Sequence, residues 1–193
     1  MNSTASGILE LIRTRRNVRE FVDEPVTREQ LETVLEAARW APNHRLTEPW
    51  RFVVLQKSGA TRRRVAELVR DWTFENVKNP TLERRRQSAD QVHDEIMSAP
   101  VFMYALAIRG PNEEVSRENY AATACAVQNV QLAAHSMGLA IGWSTGKPCL
   151  PPALPEVIGT DPAWQMVGAL YLGRPAIRPT AERKPVGEFT SWL

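Results

Sequence analysis

The chain has 193 residues, 24 of them Lys or Arg and 22 Asp or Glu, for a net charge of +2. A chain of that length fits one domain that buries roughly 70% of its unfolded surface without metal or disulfide, and it lacks the basic excess of a nucleic-acid-binding protein. Its two cysteines make neither a secreted disulfide framework nor a CxxC pair, and no uninterrupted apolar stretch reaches the roughly 18 residues of a membrane span.

A single domain over residues 1–193 is therefore expected, cytoplasmic, with no membrane, nucleic-acid or metal partner; the short apolar run before the first charges is no signal peptide. Ile8, Leu9, Leu11 and Ile12 form a helical stripe that runs into Arg13, Arg15, Arg16 and Arg19. One or two arginines would merely complement a helix C-terminus. Four within seven residues, with Asn17 among them, point to an anion site. Thr27 and Gln30 make a capping box and Val26 and Leu31 a hydrophobic staple, so a helix opens there, with Leu31, Val34, Leu35 and Ala38 as its core face and Pro42 as its stop. Residues 40–50, which hold Trp40, His44 and two prolines, read as a binding loop on a rigid scaffold, although a lone His and two tryptophans are more often packing.

Residues 51–56 form a strand with a buried middle. Residues 59–72 form an amphipathic helix with Val65, Leu68, Val69 and Trp72 inward, which leaves Arg62, Arg63 and Arg64 on a solvated face. Residues 73–97 are polar, broken at Asn79-Pro80, and show little apolar stripe. They are the least anchored segment, equally a mobile cover over a pocket or a surface excursion. Residues 100–108 are continuously apolar, the pattern of a strand buried on both faces.

The chain is organised around residues 119–146. From Tyr120 to Met137 only His135 can carry a charge, and such a helix is expected to be buried, at a domain core or a subunit interface. Gln128, Gln131 and His135 share one face, which fits amides satisfying buried backbone groups better than direct catalysis. Gly138 stops the helix, and the short β-prone run that follows ends in small polar residues near which function is expected. Residues 148–159 are a Pro-rich connection and residues 165–173 another buried strand. The tail, residues 174–193, cannot form a core of its own and is expected to lie on something else, a partner subunit being the natural candidate. Some four strands and a long internal helix indicate an α+β layered domain. No GxGxxG follows a strand, so no Rossmann site is expected.

The order Arg15-Arg16-Asn17-Val18-Arg19, Ala41-Pro42-Asn43-His44, Pro49-Trp50-Arg51-Phe52, Gly142-Trp143-Ser144-Thr145-Gly146 and Leu172-Gly173-Arg174-Pro175 resembles the nitroreductase family of FMN-dependent oxidoreductases, in its short bacterial branch. The resemblance covers nearly the whole chain. It implies a mixed or antiparallel sheet flanked by helices, and a homodimer with the long central helices at its interface and the FMN sites shared between chains. It implies that Arg15, Arg16, Asn17 and Arg19 hold the phosphate and ribityl chain, with Asn17 where the family usually has Ser. Trp40 and His44 reach the flavin from the other subunit, Trp143, Ser144, Thr145 and Gly146 lie against the ring, and Arg183 or Lys184 adds a phosphate contact. Glu48 stands where many members have Gln. The implied reaction passes a hydride from NADH or NADPH through the flavin to an organic acceptor such as a nitroaromatic or a quinone, with ping-pong kinetics. No side chain is assigned as a catalytic acid or base, since the cofactor carries the chemistry. The alternative is a flavin- or tetrapyrrole-binding protein without turnover.

Overall fold

The computed structural model describes residues 3–193. Six helices are described, α1 (Ser3–Thr14), α2 (Arg28–Glu36), α3 (Ala60–Asn76), α4 (Leu82–Ser98), α5 (Glu113–Ser136) and α6 (Leu154–Ile158), with four strands, β1 (Trp50–Leu55), β2 (Val101–Ala107), β3 (Ala140–Ser144) and β4 (Gln165–Gly173). The strands form one sheet in the order β1-β2-β4-β3, every pair antiparallel.

β2 is central and apolar throughout because it serves two cores. Val101, Met103, Ala105 and Ala107 pack with Val34 of α2 and with Ala126, Val127, Val130 and Ala134 of α5. The alternate residues Phe102, Tyr104 and Leu106 pack with Val65, Ala66 and Val69 of α3 and with Val92 and Ile96 of α4. Period-two alternation between two helical layers gives an α+β three-layer sandwich. The capping box is present: Gln30 N–H donates to Thr27 Oγ1 at 3.1 Å, and Thr27 N–H to Gln30 Oε1 at 2.9 Å.

α5 runs 24 residues, about 36 Å at 1.5 Å per residue, and starts before the uncharged stretch. Asn112 caps it, its Oδ1 accepting from Val115 N–H at 2.9 Å. Gly138, with φ of 72°, ends it. The helix is buried on one side only. Ala126 and Val130 are sealed in the chain's own core, whereas Tyr120, Ala121 and Cys125 are exposed and Leu132 and Ala133 half-buried.

Two expectations are corrected. Arg62 is wholly buried instead of solvated: its Nε donates to Ile96 O at 2.9 Å and its guanidinium also donates to Ala99 O at 2.5 Å. These are terminal carbonyls of α4, where a cation meets both unpaired acceptors and the negative end of the helix dipole. Phe102 lies under the guanidinium at 5.9 Å, and burial lowers the Arg62 pKa to about 10. Residues 73–97 are also better anchored than their polarity suggests, since α4 docks through Ala89, Val92 and Ile96, all buried at i, i+3, i+7 spacing. Met97 packs beside them, and Arg85 Nε of α4 donates to Phe74 O of α3 at 2.8 Å.

Candidate functional site

The segment after α1 is laid along β3 as a partial extra strand. Asn17 bridges Ile141 in parallel and Phe21 bridges Pro175. Gly142 makes this close approach possible, because a Cβ there would stand 2.5 Å from Val18 O and 2.6 Å from Arg19 Cγ. Asn17 Oδ1 accepts from Trp143 N–H at 2.5 Å, and its Nδ2 makes no hydrogen bond among the described residues.

A cleft of about 410 Å³ opens where β3 begins, lined by Thr14, Arg15, Arg16, Gln131, His135 and Arg178 among others, with no carboxylate among its lining residues. Arg15 donates to Gln131 Oε1 at 3.0 Å, and Arg16 turns onto the carbonyls of Arg13 at 2.6 Å and Arg15 at 2.9 Å. Burial, then Arg16, then Arg183 lower the Arg15 pKa. Arg183 of the tail acts on Arg15 only through its charge and is not among the residues that line the cleft. The Nε atoms of both Arg15 and Arg16 are buried without a hydrogen-bond partner among the described residues. Converging guanidiniums that repel one another and keep unpaired donors fit a dianion such as a phosphate.

The other end of β3 opens on a second cavity of about 440 Å³, lined by Trp143, Ser144, Thr145, Gly146, Lys147, Arg19 and Glu95. Trp143 is pinned by donation from its indole Nε1 to Val167 O at 3.1 Å, and it lies so close to Gly168 that a Cβ there would reach 2.1 Å from Nε1. Gly146 N–H donates to Ser144 Oγ at 3.3 Å. Arg19 belongs to this cavity and not to the anion cleft: it pairs with Glu95 at 3.3 Å and lies 5.4 Å over the Tyr171 ring. The segment runs parallel to β3 with Asn17 beside Ile141, so Arg15 and Arg16 lie toward the start of the strand and Arg19 toward its end. Lys147 donates to Ser88 Oγ at 2.5 Å.

Trp40 and His44 line neither cavity. Trp40 is 77% exposed beside an apolar groove shared with Ile8, Leu11 and Leu132, and His44 Nδ1 lies 2.9 Å from Glu118 Oε1. Their loop is strained: Arg45, Leu46 and Glu48 hold positive φ without being glycine, as functional loops tend to. It is fixed to the rest of the chain where Thr47 Oγ1 donates to Asn119 Oδ1 at 2.9 Å, and Glu48 N–H donates to Asn43 Oδ1 at 3.0 Å.

Sequence reading placed Gln131 and His135 as structural amide and imidazole, and left Arg178 and Lys147 unassigned. The i, i+4 spacing of Gln131 and His135 was the available signal; nothing local marks the other two. Among the described residues there is no cluster able to hold a metal and no helix long and apolar enough to cross a membrane.

A model of the Nitroreductase family matches residues 12–174. The chain is similar to a Bacillus subtilis (strain 168) protein named "Putative NAD(P)H nitroreductase YfhC", with 28% identity over 93% of this chain and 90% of that protein. It superposes on the nitroreductase-like family protein from Bacillus cereus with a TM-score of 0.82 and 30% identity, covering 96% of this chain and 95% of the other. A protein from Desulfovibrio desulfuricans in complex with FMN gives a TM-score of 0.74 and 27% identity over 96% of each chain.

Proposed function

Because the chain belongs to the Nitroreductase family, we propose that it is an FMN-dependent oxidoreductase that takes reducing equivalents from NADH or NADPH and passes them to a small organic acceptor such as a nitroaromatic or a quinone. The observation that carries this reading is the carboxylate-free cleft with its buried, unpaired Arg15 and Arg16 Nε donors at one end of β3, and the Trp143 to Gly146 wall at the other. When bound, FMN supplies the acceptance and release of hydride.

The chain supplies the rest. Arg15, Arg16 and Arg183 hold the phosphate. Asn17 Nδ2 offers a donor midway along the strand, where a ribityl hydroxyl would pass. Trp143, fixed by Val167 O and by the space above Gly168, gives the ring a wall that cannot rotate away. Arg19, restrained by Glu95 and lying over the Tyr171 ring, would offer guanidinium N–H donors at the edge of the ring cavity.

Trp40 and His44 complete the site from a second copy of the chain. Supporting this, both stand outside the two cavities of their own chain, and the exposed apolar side chains Ile8, Ile12, Trp40 and Phe189 gather on α1, the loop after α2 and the tail. A homodimer would cover them, with the open face of α5 at its centre.

The test is to purify the protein without added cofactor, record its visible spectrum, and add each nicotinamide under anaerobic conditions. A yellow protein bleached by NADH or NADPH and recoloured by a nitroaromatic or quinone is expected. A colourless protein that takes up no FMN overturns the reading, and a yellow one that is never bleached reduces it to flavin binding without turnover.

A further inference from the structure

The anion cleft contains a titratable group with no part in the reading above. His135 Nε2 lies 2.8 Å from Thr14 Oγ1, and the Thr14 hydroxyl already donates to Glu10 O at 2.7 Å. A hydroxyl has one proton, so Nε2 must be the donor to Thr14. This fixes the tautomer: in the neutral ring Nδ1 carries the lone pair, and it makes no hydrogen bond among the described residues.

The charges facing the ring all have one sign. Thr14, Arg15 and Arg16 approach from α1 and the segment after it, Arg178 from the tail, and the uncharged Gln131 from one turn earlier on α5. Burial first, then Arg15, Arg178 and Arg16, hold the imidazole below its ordinary pKa, so at neutral pH it is uncharged. A phosphate group in the cleft reverses this balance. Its negative charge offsets the guanidiniums, and a bare Nδ1 lone pair facing anionic oxygens would be repelled, whereas a protonated Nδ1 donates a charge-assisted hydrogen bond.

We propose that His135 is a proton-coupled contact for the phosphate monoester end of the bound ligand: as the ligand enters, Nδ1 takes one proton from solvent and donates it in a hydrogen bond to a phosphate oxygen, while Thr14 holds Nε2. No covalent bond forms or breaks. The inference rests on the FMN reading for the identity of the ligand. Retention of that ligand weakens as pH rises through the titration of His135. A phosphate monoester is dianionic above about pH 6, so between pH 6.5 and 8.5 His135 is the group that titrates among the residues lining the anion cleft.

The test uses the FMN-loaded protein. Its histidines, His44, His93 and His135, give imidazole NMR signals assignable with single His→Gln variants. His135 titrating above about 6.5, the ordinary histidine value, is expected, and titration below it overturns the proposal. In equilibrium dialysis the FMN dissociation constant of the wild type should rise about tenfold between pH 6.5 and 8.5, the effect of one pKa unit of linkage. That of His135→Gln should change less than about twofold, and equal pH dependence in the two overturns the proposal. A protein that takes up no FMN defeats the functional reading instead. The NMR titration repeated with inorganic phosphate then decides the histidine: an upward shift supports it and an unmoved signal overturns it.

Discussion

Asn17 and Trp143 lie 126 positions apart in the chain, yet the Asn17 side-chain carbonyl accepts the Trp143 backbone N–H at 2.5 Å. This bond ties the arginine segment to Trp143 in the wall of the second cavity. The carbonyl holds the strand while the NH₂ remains available to a ligand.

Asn17→Ala should remove that link. A hydrogen bond of this kind contributes about 0.5–1.5 kcal/mol, so a melting temperature lower by about 1–6 °C is expected from the usual 2–4 °C per kcal/mol for a chain of this size. Asn17→Asp keeps the acceptor but loses the donor and adds negative charge beside the phosphate path. It should melt near the wild type and bind FMN more weakly, by calorimetry and flavin fluorescence; an Asn17→Asp protein with wild-type FMN affinity would refute the division of roles.

Arg15→Ala and Arg16→Ala should each raise the FMN dissociation constant about ten- to a hundredfold, since a charge-assisted contact contributes roughly 1.5–3 kcal/mol. Neither guanidinium holds a carboxylate among the described residues, so melting of the flavin-free variants should be little changed or slightly raised by relief of repulsion. Unaltered affinity in both would place the phosphate elsewhere.

Leu132→Glu and Ala126→Glu separate dimerisation from folding. Leu132 lines the open groove beside Trp40, whereas Ala126 is fully buried in its own chain. Leu132→Glu should give a folded monomer with weakened flavin retention, by light scattering and absorbance. Ala126→Glu should fail to fold, because an unpaired buried carboxylate costs several kcal/mol. A dimeric Leu132→Glu protein retaining all its FMN would remove the groove from the interface.

Stability should fall in alkali. Burial pushes the Cys149 thiol up to about 12 from its usual 9, and burial likewise raises the Tyr104 and Tyr171 hydroxyls. The unfolded thiol loses its proton near pH 9 while the folded one keeps it, so the folded chain binds more protons. The stability from this raised pKa is complete below pH 9 and is lost as pH rises toward 12, at about 1.4 kcal/mol per unit. Arg62, lowered to about 10, opposes this only above pH 10. Thermal melts from pH 8 to 10 should show the decline, and Cys149→Ala should flatten it.

What the sequence determined is what lies within a turn of helix or along one strand. The capping box at Thr27 and Gln30, the two-sided burial of β2, and the stop at Gly138 follow from spacings of two to four residues, because backbone hydrogen bonds and side-chain faces repeat on that scale. The arginine cluster after α1 stood out for the same reason, and the structure brings Arg15 and Arg16 to one cleft. Tertiary structure decided everything that depends on a partner distant in sequence. Arg62 is buried while Arg63 and Arg64 are exposed because the carbonyl end of α4 happens to meet it. Arg19 leaves its neighbours for Glu95, and Ala126 and Val130 turn inward while Ala121 and Cys125 face out. A helix apolar on all sides carries no mark of which side its own chain will cover, and a charged residue becomes buried only where folding delivers acceptors that offset its desolvation.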